Sequence, residues 1–140
     1  MEPKDLNQLC KNSMVETLGI QFISTNETEG EIIATMPVNS HTRQPMGYLH
    51  GGASMALAET IGSAGTMLLV DPEFYNTFGF EVKTNHIKSV RTGKVKGIGK
   101  LLHQGTRTHV WDINIYDEEE NLISVTRMTN MIVEKKNNNE

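Results

Sequence analysis

Between residues 50 and 70 the apolar positions cover nearly every side of a helical wheel: Met55, Leu57, Ala58, Ile61, Ala64, Met67, Leu68 and Leu69. That is the pattern of a helix enclosed by its own domain. The stretch follows the chain-breaking Gln44-Pro45-Met46-Gly47, opens at His50-Gly51-Gly52 and meets a proline at Asp71-Pro72, so a central helix is predicted over about 49–70. Upstream, Leu6, Leu9 or Cys10, Met14 and Leu18 recur at three-to-four spacing before Gly19. They predict an amphipathic helix over 3–18 that packs on another element. Ile20–Asn26 and Glu31–Val38 read as strands joined by the hairpin signal Glu27-Thr28-Glu29-Gly30. Ile32, Ala34, Met36 and Val38 share one face of the second strand. Residues 39–49 read as loop.

The second half predicts strands only. Thr77–Val90, Gly93–Leu102, Thr106–Tyr116 and Leu122–Val133 are rich in Val, Ile, Thr and aromatics and are separated by turn-forming residues. Trp111, Ile113 and Ile115 alternate toward one face. The predicted class is α+β, an antiparallel sheet wrapped around one long helix with an N-terminal helix beside it. A sheet that wraps the helix is the economical way to bury it. Residues 1–134 form one domain in this reading, and 135–140 a polar tail expected to be disordered.

Composition changes this picture little. At 140 residues the chain is long enough for one hydrophobic core. The net charge of −4 gives no reason to expect nucleic acid or an anionic membrane as partner. No signal-peptide layout and no membrane-spanning apolar run is present, and the single Cys10 excludes an internal disulfide, so a cytoplasmic location is expected. Cys10 itself is expected to pack as a small hydrophobe. Charge shows one asymmetry: seven of the 13 Lys and Arg residues fall within 79–107, against the single acid Glu81. A basic strand region of that kind suits a phosphorylated ligand, or else it is a solvated face with lysines guarding a sheet edge.

Glu59 is the residue that does not fit its apolar surroundings, and a carboxylate in such a place needs a partner or a task. Unpaired N–H groups at a helix start hold negative charge, and Gly51 and Gly52 leave that start open to an approaching oxygen. The combination suits an oxyanion site at the Gly51 amide, with His50 and Gln44 as further hydrogen-bonding groups and Glu59 as general base or nucleophile. Ser63, one turn beyond Glu59, is placed to bond the carboxylate or a water beside it. Gly51 and Glu59 are eight residues apart, roughly 12 Å along one helix. One helix cannot easily bring both to one carbonyl, whereas two antiparallel helices across a twofold axis can. The expectation is a site between subunits and a homodimer at minimum. The plainer alternatives are a tight turn at His-Gly-Gly and a Glu59 that pairs with Arg43 or Lys83.

The histidines show no local ligand pair, so no metal site is expected. No phosphate-cradling glycine motif and no Gly-x-Ser-x-Gly elbow is present.

The run from His50 to Ser63, His-Gly-Gly-Ala-Ser-Met-Ala-Leu-Ala-Glu-Thr-Ile-Gly-Ser, resembles the signature of hotdog-fold acyl-CoA thioesterases of the PaaI and hydroxybenzoyl-CoA type. Asn85–Gly93 and Leu102–Trp111 are similar to the branch that holds the dihydroxynaphthoyl-CoA thioesterases and the enterobactin-proofreading thioesterases. The resemblance spans about Met14 to Val133. It implies a hotdog fold, a dimer that often doubles to a homotetramer, and hydrolysis of an acyl-CoA with an aryl or small acyl group. Coenzyme A is then part of the substrate, and no separate cofactor is implied. By position, Glu59 is the base or nucleophile, Ser63 its assistant, and Gln44, His50 and the Gly51 amide of the other subunit polarise the carbonyl. Contacts to coenzyme A and the acyl group are implied at Gly79, at His86, Ile87, Lys88 and Ser89, and at His103, Gln104, Gly105, Thr106, Arg107 and Thr108. Residues 71–76, with Met46 and Tyr48, depart from the pattern. A hotdog hydratase or dehydratase and a non-catalytic acyl-CoA sensor are the rival readings.

Overall fold

The computed structural model describes residues 1–136. Two short helices, α1 (Pro3–Leu9) and α2 (Met14–Thr17), precede the strands β1 (Gln21–Asn26) and β2 (Glu31–Pro37). The long helix α3 (Gly51–Leu69) follows, then β3 (Tyr75–His86), β4 (Lys94–Gln104), β5 (Thr108–Tyr116) and β6 (Leu122–Glu134). All six strands form one antiparallel sheet in the order β1-β2-β4-β5-β6-β3. The loop–helix–loop from β2 to β3 therefore crosses β4, β5 and β6 to reach the far edge of the sheet. The antiparallel sheet around a single long helix matches the predicted architecture.

Inward-facing residues of the sheet meet α3 in one core. Ile32, Ala34, Met36, Val95, Trp111, Ile113 and Ile115 are buried against Leu57, Ala58 and Ile61. The helix approaches closely because glycines face it and lie upon it. A Cβ at Gly97 or Gly99 would collide with Ile61, and one at Gly62 would lie 2.7 Å from the Met128 sulfur. Polar anchors fix the rotation of α3. Asn130 Nδ2 donates to the Gly62 carbonyl at 3.0 Å and to Thr66 Oγ1 at 2.9 Å, and Trp111 Nε1 also donates to Thr66 Oγ1 at 2.9 Å.

Four expectations are corrected. The predicted helix over 3–18 is two helices, because Asn12 takes a left-handed φ of 58° and Ser13 caps α2 by accepting from the Val15 N–H. Such residues favour turns and caps over helix interiors. The strand expected to reach Val90 stops at His86, and residues 87–90 run as irregular chain. The lysines of β4 guard no edge, since β4 lies between β2 and β5; Lys96 faces Glu120 at 3.4 Å and Lys100 faces Glu31 at 3.9 Å. Finally, α3 is not enclosed on every side. Ala56, Glu59, Thr60, Ser63 and Met67 form a face that the sheet leaves open, and Glu59 is exposed within the single chain. The periodicity misled because Met55, Met67, Leu68 and Leu69, which completed the apolar wheel, are only half-buried. Of the expected tail, residues 137–140 lie outside the described residues. Among the described residues no helix is long and apolar enough to cross a membrane.

Candidate active site

The start of α3 is prepared by its N-cap. His50 is extended, and its Nδ1 accepts the Gly52 N–H at 2.8 Å. A neutral imidazole that accepts at Nδ1 carries its proton at Nε2, so the outer nitrogen of His50 is a donor. The His50 carbonyl takes the N–H groups of Ala53 at 2.9 Å and Ser54 at 3.2 Å. That leaves the Gly51 N–H as the unspent donor of the first turn among the described residues.

Gln44 is oriented in the same sense. Its side-chain oxygen accepts from the Met46 N–H, so its amide nitrogen is free to donate outward. The turn that carries it is closed by Gln44 N–H to the Tyr48 carbonyl at 2.8 Å and Gly47 N–H to the Gln44 carbonyl at 2.9 Å. Arg91 holds this loop from outside, stacked 4.2 Å over the Tyr48 ring with Nη2 donating to the Tyr48 hydroxyl at 2.6 Å. Arg43 in turn clamps the Arg91 carbonyl at 3.0 and 2.8 Å. Residues 87–88 are tied to β6 through the Ile123 carbonyl. The result is an open cavity of about 470 Å³ lined by Gln44, Gly51, Ser54 and His86 through Ser89. The His86 ring lies directly over the helix start, where a Cβ on Gly51 would sit 2.8 Å from its Nε2.

Glu59 and Ser63 line a different cavity, of about 500 Å³, on the open face of α3. The Glu59 carboxylate rests against the edge strand β3, where a Cβ on Gly79 would sit 2.7 Å from Oε1. The β3–β6 pairing shifts register between Gly79 and Glu81, a bulge beside the carboxylate. Among the described residues Glu59 makes no ion pair, so neither Arg43 nor Lys83 neutralises it.

The residues singled out in the sequence therefore fall into two groups. Gln44, His50, Gly51, His86, Ile87, Lys88 and Ser89 gather at the start of α3, while Glu59, Ser63 and Gly79 gather two turns along it. His103–Thr108 form the β4–β5 hairpin end and line neither cavity. They stand level with Gly79, since Gln104, His109, Asn130 and Gly79 are successive cross-strand partners. His109 escaped the sequence reading. It is 1% exposed, its Nδ1 has no partner among the described residues, and burial together with the nearby His103 holds its pKa below 6.5. Its inward place could have been read from the alternation that buries Trp111, Ile113 and Ile115.

Comparison with known proteins identifies relatives of this fold. A profile of the Thioesterase superfamily matches residues 46–124. The 1,4-dihydroxy-2-naphthoyl-CoA hydrolase of Escherichia coli is 44% identical over 91% of this chain and 92% of its own. The proofreading thioesterase EntH of Cronobacter sakazakii is 40% identical over 91% of each. The crystal structure of a Pseudomonas aeruginosa thioesterase superposes with a TM-score of 0.93 at 38% identity, covering 96% of both chains.

Proposed function

The chain belongs to the thioesterase superfamily, and on that premise we propose that it hydrolyses acyl-CoA thioesters to the free acid and coenzyme A. The observation that carries the reading is the pair of half-sites on α3: an unspent Gly51 N–H beside two side chains oriented as donors, and an unpaired Glu59 carboxylate.

In this reading the thioester oxygen lies at the Gly51 N–H, with the His50 and Gln44 donors beside it. Negative charge that develops on that oxygen meets donors already in place, the arrangement that lowers a barrier most. Glu59 takes a proton from water as the water oxygen bonds to the carbonyl carbon, and Ser63 orients that water. The carbon–sulfur bond then breaks, and the leaving thiolate recovers the proton from Glu59. In the alternative course Glu59 itself attacks the carbonyl carbon, the carbon–sulfur bond breaks to release the coenzyme A thiolate and leave a mixed anhydride, and water opens that anhydride. A single turnover in oxygen-isotope-labelled water marks Glu59 where water opens the anhydride at the Glu59 carbonyl carbon, and never marks it in the first course.

Both half-sites are open in the single chain, and Gly51 and Glu59 are separated by about two turns, roughly 12 Å. We therefore assign the complete site to a homodimer in which each Glu59 faces the partner's helix start. Two features of β3 support this. It is an unpaired sheet edge 12 residues long, and it exposes Phe78 and Phe80. Doubling of that dimer to a tetramer and a cytoplasmic setting, in keeping with the lone cysteine, complete the proposal. Lys88, which lines the cavity at the helix start, is the cation nearest to hand for the phosphates of coenzyme A.

Thiol release from benzoyl-, hydroxybenzoyl-, phenylacetyl- and short alkyl-CoA tests the activity. Wild type is expected to turn over at least one of them, and Glu59→Ala to lose about three orders of magnitude in kcat. Turnover that survives the substitution would refute the role of Glu59. Loss of enoyl absorbance without thiol release would replace hydrolysis by hydration.

A further inference from the structure

The loop that presents Gln44 has no packing to hold it. None of the residues from Arg43 to His50 is buried, and Met46 at the tip is 73% exposed. The bonds inside the tip are local: Gln44 N–H to the Tyr48 carbonyl, Gly47 N–H to the Gln44 carbonyl and Met46 N–H to Gln44 Oε1. They keep the turn in shape, yet they move with it and fix nothing relative to the helix start. The base of the loop is tied separately, where the Leu49 N–H donates to the Val90 carbonyl at 2.7 Å and the His50 N–H to the Thr42 carbonyl at 2.8 Å. Among the described residues, one hydrogen bond joins the tip, residues 44–48, to the rest of the chain: Arg91 Nη2 to the Tyr48 hydroxyl.

Arg91 stands on a segment that is fixed independently of the tip. Its neighbour Val90 is buried, and the Gly93 carbonyl accepts the Val38 N–H at the end of β2 at 2.8 Å. Arg43, at the base of the loop, holds the Arg91 carbonyl through Nε and Nη2. Among the described residues neither arginine makes an ion pair, so no carboxylate competes for the Arg91 guanidinium. That guanidinium meets Tyr48 in two ways at once, stacked 4.2 Å from the ring centroid and bonded to the hydroxyl at 2.6 Å. A hydrogen bond alone leaves the ring free to turn about it, whereas the added stack fixes its tilt as well.

We propose that Arg91 and Tyr48 are positioning residues for the Gln44 donor: their clamp sets where the Gln44 amide nitrogen stands relative to the Gly51 N–H and His50. The proposal rests on the thioesterase reading and deepens it, by naming what holds one arm of the oxyanion site in place. The Tyr48 carbonyl accepts the Gln44 N–H, so a displacement of Tyr48 passes directly to Gln44. A donor aimed at developing charge acts only if it is in place beforehand, and a shift of about 1 Å can cost up to about a hundredfold in rate. Tyr48 also lines the cavity at the helix start, so its test has to tell positioning from binding.

A double-mutant cycle on the acyl-CoA that wild type turns over best tests this. Tyr48→Leu removes ring and hydroxyl, Tyr48→Phe keeps the ring, and Arg91→Leu removes the guanidinium while leaving the carbonyl to Arg43. We expect Tyr48→Leu and Arg91→Leu each to lower kcat about tenfold with KM changed by no more than about twofold, and Tyr48→Phe to retain most of the activity. In a Gln44→Ala background the same two leucine substitutions should cost less than about twofold, because the group they position is gone. Equal losses in both backgrounds, or a change confined to KM, would overturn the assignment while the hydrolysis stood. Amide hydrogen exchange gives a readout independent of activity: residues 44–49 should exchange several-fold faster in both leucine variants, and β5 should not change. Unchanged exchange at 44–49 would overturn the clamp. Faster exchange in a protein that hydrolyses no thioester would remove the thioesterase reading, and the positioning role with it, while the clamp stood.

Discussion

Glu59 is placed by a residue with no side chain. Gly79 clears the space that the carboxylate occupies on β3, so an added methyl group would meet Oε1 at 2.7 Å. Gly79→Ala should leave the fold intact, since Glu59 is exposed and can swing away, yet lower kcat about a hundredfold by misplacing the carboxylate. Steady-state kinetics beside a thermal melt separates the two effects, and unchanged kcat would show that the packing is incidental. His109 gives a prediction in pH. Its folded pKa is lowered, so as pH falls below 6.5 the unfolded chain takes up a proton that the folded chain refuses. Its contribution is present above that pH and is lost on acidification, at no more than about 1.4 kcal/mol per pH unit. Melting temperatures from pH 7.5 to 5 should therefore fall more steeply for wild type than for His109→Gln. At this scale the sequence was partly legible. Gln44, His50, Gly51 and Glu59 stood out by type and spacing. His109 did not, hidden by strand alternation, and Gly79 was marked by resemblance alone, because the space it clears for the carboxylate exists only across the sheet.

At the scale of elements, the alternation of β2 and β5 and the proline stop of α3 were readable because local rules decide them. The break between α1 and α2 was also local, written in Asn12-Ser13, but the apolar spacing of Leu6, Met14 and Leu18 masked it. What no periodicity could tell was which face of α3 the sheet covers. That depends on glycines at positions 97 and 99 of β4 and at 62 and 65 of the helix, which let Ile61, Met128 and Trp111 interlock and turn Glu59 outward. The edge strand β3 is the element that the dimer uses in this account. Phe80, 68% exposed, belongs to that edge. Phe80→Glu should shift sedimentation from dimer toward monomer, and thiol release should fall with the dimer fraction while the far-UV circular dichroism stays native. A monomer that retained full activity would separate catalysis from pairing.

For the whole molecule, the proposed site has one consequence: each chain carries two incomplete halves of it. The length of α3 between Gly51 and Glu59 asks for it, and Gly51 and Glu59 line separate cavities. Subunit mixing tests this directly. Glu59→Ala lacks one half and Gln44→Ala weakens the other, so each homodimer is deficient at both of its sites. In a mixed dimer one site collects both defects and the other has none. Dissociation and remixing of equal amounts should restore about a quarter of wild-type thiol release, since about half of the dimers are mixed and each regains one of two sites. Activity that stays at the level of the separate variants would place the whole site within one chain and contradict the account.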